Sequence, residues 1–144
     1  MVNPTDYTNW IEPRTMTSLV RWNGDQLMEC ISPNGKTITM DGSGDGISPV
    51  AVTLQAAGAC SLIDVIIGVK DREITQASVE LNAVRAEEPP RVFTEIEMIY
   101  RISGVGLPEK LIERLIEQSH AKHCTVSNML KSTAEITWRL EMGN

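Results

Sequence analysis

Residues 48–70 read SPVAVTLQAAGACSLIDVIIGVK, and this stretch decides the fold. Ser48 offers a hydroxyl cap, and Pro49 suits the first helical position, where its missing N–H does no harm. From there to about Lys70 the residues predict one long helix, apolar almost all round, as in a helix buried on most sides. Its middle, Ala56-Ala57-Gly58-Ala59-Cys60, is a run of small residues that lets another backbone approach closely. About 20 apolar residues are enough to cross a bilayer. Asp64 near the middle would cost roughly 2.5–3.5 kcal/mol on insertion, so a core helix of a soluble protein, with no membrane partner, is expected. The rest of the chain is short for wrapping such a helix, which points to a homodimer.

Outward from this helix, the preceding segment Gly42-Ser43-Gly44-Asp45-Gly46 is a flexible loop by composition. Before it, Thr17–Asn23, Gln26–Ser32 and Lys36–Asp41 read as three short strands. Gly24-Asp25 and Asn34-Gly35 between them supply the positive φ that tight hairpins need. After the helix, Ala77–Glu87 alternates, with Val79, Leu81 and Ala83 against Glu80 and Asn82. Val92–Ser103 alternates again, placing Ile96, Met98, Tyr100 and Ile102 on one side. Pro108 opens a second helix with an apolar stripe of Leu111, Ile112, Leu115 and Ile116. A short helical piece follows Cys124-Thr125, and Ala134–Met142 is a last alternating strand. The order predicts an α+β fold, antiparallel sheets around a long central helix. An N-terminal arm over residues 1–16 and a single domain over 17–144 complete the expected organisation.

The 144 residues carry 13 Lys+Arg against 19 Asp+Glu, a formal charge of −6. That balance argues against a phosphate-backbone binder, which would need a basic face, and so against a nucleic-acid partner. The 4% aromatic content disfavours a base-stacking platform. No basic segment followed by an apolar run opens the sequence, and the three cysteines are widely spaced. Both features fit a reducing cytoplasm better than a disulfide-stapled secreted domain.

Four features could carry chemistry. Cys60 lies mid-helix among small residues and reads either as a core thiol or as a reactive one; reactivity needs a cation or strong donors from another segment or subunit. Cys124 precedes a short helix, whose dipole would favour the thiolate, against the plainer reading of a half-buried thiol at a helix junction. His120 and His123 with Cys60 and Cys124 give a weaker metal-thiolate reading, set against the absence of any paired CxxC or HExxH. Glu87-Glu88-Pro89-Pro90, flanked by Arg85 and Arg91, reads as a solvated turn or as the source of an arginine for a thiol pocket.

Taken together, these segments resemble the OsmC/Ohr family, the osmotically inducible and organic-hydroperoxide-resistance proteins. The resemblance rests on Ser48-Pro49, Ala56-Ala57-Gly58-Ala59-Cys60-Ser61 and Glu87-Glu88-Pro89-Pro90-Arg91-Val92-Phe93. It extends to His123-Cys124-Thr125-Val126-Ser127 and Ala134-Glu135-Ile136-Thr137. It implies an intertwined homodimer and a thiol peroxidase without metal or organic cofactor. Its substrate would be a small organic hydroperoxide, or hydrogen peroxide. Cys60 would attack the peroxide, Cys124 would resolve the sulfenic acid as a disulfide, and an external dithiol would reduce it. Family peroxidases keep a Glu in the first turn of the helix and an Arg that it orients. Here Val50 stands at the Glu position and Thr39 and Met40 where the Arg would be, so Arg91, Arg85 or Arg21 would have to stabilise the thiolate. The alternative is a non-catalytic dimer that binds a ligand or serves a structural role, whose cysteines are core residues or a redox latch.

Overall fold

Positive φ at Gly24 (90°) and Asp25 (46°) and at Gly35 (82°) turns the first part of the chain back on itself twice. The result is a meander of β1 (Leu19–Trp22), β2 (Leu27–Ile31) and β3 (Thr37–Asp41), ordered β1-β2-β3 and antiparallel throughout. Each strand lies inside the stretch the sequence predicts. The computed structural model describes residues 12–143, so most of the expected N-terminal arm lies outside the described residues. The chain divides into two compact units, Met1–Thr53 and Leu54–Asn144. α1 (Pro49–Gly68) starts in the first, where the Ser48 hydroxyl accepts from the Ala51 N–H at 3.1 Å, the expected cap.

The second unit contains β4 (Glu73–Arg85), β5 (Phe93–Val105), α2 (Glu109–Gln118), a π-helical turn over Ser119–His123, α3 (Thr125–Leu130) and β6 (Glu135–Gly143). Its sheet runs β4-β5-β6. β4 and β5 pair antiparallel as predicted, but β6 lies parallel to β5, with Met98 opposite Trp138 and Tyr100 opposite Leu140. The sequence alone predicts every strand antiparallel, and β6 departs from that. Parallel neighbours require a crossover of a dozen or more residues, and α2, the π-turn and α3 supply it.

The alternation in β5 holds: Ile96, Met98, Tyr100 and Ile102 are all buried. With Ile112 and Ile116 of α2 and Ala57, Val65 and Val69, they form the core. Gly58 is where α1 meets β4. A Cβ there would stand 2.7 Å from a methyl of Leu81, so only glycine allows this approach without displacing the leucine. The buried part of α1 is narrower than its composition predicts. Only Ala57, Gly58, Ser61 and Val65 are buried, one stripe of the helix, whereas Ile63 is 56% exposed. Apolarity on every side is therefore not matched by cover within one chain.

Candidate functional site

Spacing along α1 puts Ala57, Cys60, Ser61 and Asp64 on adjoining turns. Against this stretch lies the π-turn that leads into α3. Its backbone hydrogen bond from Cys124 N to Ser119 O (2.8 Å) spans five residues and brings Cys124 to the first position outside α3. Cys124 is fully buried and Cys60 partly so, and both are free thiols. The Cys124 thiol points at the Ala57 carbonyl, 3.7 Å away and one turn before Cys60, while the Ser127 N–H donates to its sulfur at 3.4 Å. Cys60, one turn on from Ala57, is near enough to contribute to the raised Cys124 thiol. Two thiols 64 positions apart in sequence thus meet within one unit.

The helix-dipole expectation for Cys124 is half right. Cys124 does cap α3, and Ser127 does favour its thiolate. Burial is the larger effect and pushes the thiol up instead, reinforced by Cys60. A dipole acting on a fully buried sulfur does not offset the loss of water around the charge.

A chain of polar groups that the sequence did not reveal adjoins the thiols. Tyr100, Ser61 and Ser119 are fully buried. Tyr100 OH lies 2.5 Å from Ser61 Oγ and 2.7 Å from His120 Nε2. Ser119 Oγ lies 2.9 Å from Ser61 Oγ and 2.7 Å from Asp64 Oδ2. Trp138 closes one side, edge-on to Tyr100 and stacked on His120 at 6.3 Å between centroids. Burial pushes the Tyr100 phenol up, with Cys124 and Asp64 adding to the shift, and pushes His120 down. One signal was available: a tyrosine on the inward face of a strand needs a partner for its hydroxyl. The sequence alone suggests His120 only as a metal ligand.

The remaining candidates have partners of their own. Arg85 Nε donates to Arg91 O (2.8 Å) and Arg91 Nε to Glu87 O (3.0 Å), both in the exposed turn. Arg21 pairs with Glu29 across β1 and β2 at 2.7 Å. No arginine or lysine is among the groups acting on Cys124. The four-ligand metal reading is not realised: among the described residues no group of three or more His, Cys, Asp or Glu side chains is gathered to hold a metal, and His120 Nε2 is engaged by Tyr100.

A helix carrying one cysteine, packed on a sheet whose crossover brings up a second, belongs here to a chain similar to the OsmC-like proteins. Residues 42–139 match that family, and the chain belongs to it. It is 37% identical over 131 residues to Protein YhfA of Escherichia coli strain K12, covering 88% of this chain and 98% of that protein. An OsmC like protein from Mycoplasma pneumoniae shares the fold with a TM-score of 0.75 at 21% identity, over 92% of this chain and 100% of its own. An organic hydroperoxide resistance protein from Elizabethkingia anophelis shares it with a TM-score of 0.65 at 18% identity, over 92% and 99%. The mixed α+β fold of two sheets and three helices is the one expected from the sequence.

Proposed function

We propose that this protein is a thiol-dependent peroxidase that reduces organic hydroperoxides, and hydrogen peroxide, through a Cys60–Cys124 cycle. The observation that carries this reading is the meeting of the two thiols, one partly accessible and one buried. The Cys60 thiolate attacks the outer oxygen of ROOH, the O–O bond breaks, and the RO− fragment leaves as ROH after taking a proton. Cys60 is then a sulfenic acid. The Cys124 sulfur attacks it, the S–OH bond breaks, water leaves with the thiol's proton, and a disulfide remains. An external dithiol restores both thiols by exchange. Sulfur carries both electrons throughout, so the cycle uses no metal or organic cofactor. Cys124 is the more buried of the two thiols, which favours it for the resolving role over the attack on peroxide.

The protein would work in the reducing cytoplasm as a homodimer, a second copy covering the exposed apolar side of α1. Pairing is also the route by which Arg91, Arg85 or Arg21 would reach the Cys60 thiolate. A second reading, a non-catalytic binding dimer, is favoured by the engagement of Arg85 and Arg91 in their own turn and of Arg21 by Glu29. The test is consumption of cumene hydroperoxide with dithiothreitol. Cys60→Ser abolishes it and Cys124→Ser leaves a sulfenic acid on Cys60. Turnover by Cys60→Ser at the wild-type rate overturns the assignment, and an inert wild type favours the binding dimer.

A further inference from the structure

The buried polar chain beside the thiols has only one consistent direction. A carboxylate accepts hydrogen bonds but does not donate them, and each hydroxyl has one proton to give. Ser119 Oγ therefore donates to Asp64 Oδ2 at 2.7 Å. Ser61 then donates to Ser119 Oγ, Tyr100 OH donates to Ser61 Oγ, and Nε2–H of His120 donates to Tyr100 OH. Five side chains are satisfied in one sense, and no buried side-chain polar atom among the described residues is left without a partner.

The location of this chain matters more than its length. Ser61 follows Cys60 on α1, with Asp64 one turn on. Ser119 and His120 open the π-turn that ends at Cys124, and the Ser119 carbonyl holds the Cys124 N–H. Ser119 therefore fastens the turn bearing one thiol to the helix bearing the other, with its hydroxyl on α1 and its carbonyl on Cys124. A π-turn is a poor stand-alone structure, and such turns persist where the surroundings hold them.

We propose that Ser119 and Ser61 are positioning residues of the dithiol, the hydroxyl chain from His120 to Asp64 holding the Cys124 turn against α1 and thereby setting the Cys60–Cys124 reduction potential. The inference rests on the reading of these thiols as a redox pair, though not on their oxidant being a hydroperoxide. Disulfide formation releases two electrons and two protons, which oxidised glutathione accepts as it becomes two molecules of reduced glutathione. Loosening the turn lowers the effective concentration of one thiol at the other and so disfavours the bond. Removing a group that only stabilises the fold weakens dithiol and disulfide forms alike and leaves the potential where it was.

The experiment equilibrates the full-length protein in glutathione buffers and reads the Cys60–Cys124 bond by thiol alkylation and mass. Ser119→Ala is expected to lower the equilibrium constant for the disulfide about tenfold, a potential roughly 30 mV more positive. Tyr100→Phe keeps the ring and removes one link of the chain, and it shifts the constant the same way. It also serves if Ser119→Ala does not fold. Asp64→Asn retains an accepting oxygen and changes the constant by less than about threefold. Constants for Ser119→Ala and Tyr100→Phe within twofold of wild type overturn the positioning role, whatever their stability. A wild type that forms the bond in glutathione yet consumes no cumene hydroperoxide overturns the peroxidase reading alone. A wild type that never forms the bond overturns both.

Discussion

The two three-stranded sheets use similar residues to opposite effect. In β5 the inward side chains are buried, Met98 and Tyr100 completely. In β1 and β3 most apolar residues stand open: Val20 is 62% exposed, Trp22 68% and Ile38 53%. The difference lies in the connections. β1, β2 and β3 are joined by tight turns that bring nothing to lay over the sheet. β5 and β6 are joined by a crossover long enough to contain α2, whose Ile112 and Ile116 enter the core with β5. Alternation in a sequence shows which face of a strand is apolar. Cover for that face depends on what the chain threads between strands, or on a second copy.

The sharpest test of this contrast replaces one isoleucine in each unit. Ile112→Ala opens a cavity in a filled core and is expected to lower stability by about 2–5 kcal/mol, read by urea unfolding in dilute protein. Under the same conditions Ile38→Ala is expected to stay within about 0.5 kcal/mol, as for an exposed site. Equal losses would break the comparison. A smaller effect sharpens it. If a second copy covers the open apolar residues, the unfolding midpoint of the wild type rises with protein concentration and Ile38→Ala reduces that rise. Sedimentation at the same concentrations supplies the oligomeric state, and a midpoint independent of concentration would show the first sheet to be open in solution.

The same contrast explains what could be read from the sequence. Ser48-Pro49 marked the start of α1 and Gly24-Asp25 the first hairpin because caps and tight turns are decided by a few adjacent atoms. The Ile96, Met98, Tyr100 and Ile102 face was legible because strand periodicity is local. The parallel direction of β6 was not, since Ile136, Trp138, Leu140 and Met142 alternate identically in either direction. The one-sided burial of α1 was also hidden, because its apolarity does not say which chain covers it. At the site, both cysteines were identifiable as residues worth weighing, but the raised Cys124 thiol reflects burial set by the fold. The π-turn over Ser119–His123 has no periodic signature, and without it neither Ser119 nor His120 could be connected to Tyr100.

The smallest effect expected is a pH dependence from His120. Burial lowers its ionisation from the ordinary 6.5, so the unfolded chain takes up a proton at a higher pH than the folded one. Stability is then unaffected by His120 above about pH 6.5 and declines as pH falls from there toward the lowered value, below which the loss is complete. The hydrogen bond to Tyr100 does not add to this slope. Nε2 is already the donor when the ring is neutral, and a second proton goes on Nδ1, leaving the bond to Tyr100 OH in place. The cost is that of charging a half-buried ring stacked on Trp138. His120→Gln, whose amide can still donate to Tyr100, is expected to flatten the decline between pH 6.5 and 5 in urea unfolding. A decline that persists in His120→Gln would place the titrating group elsewhere.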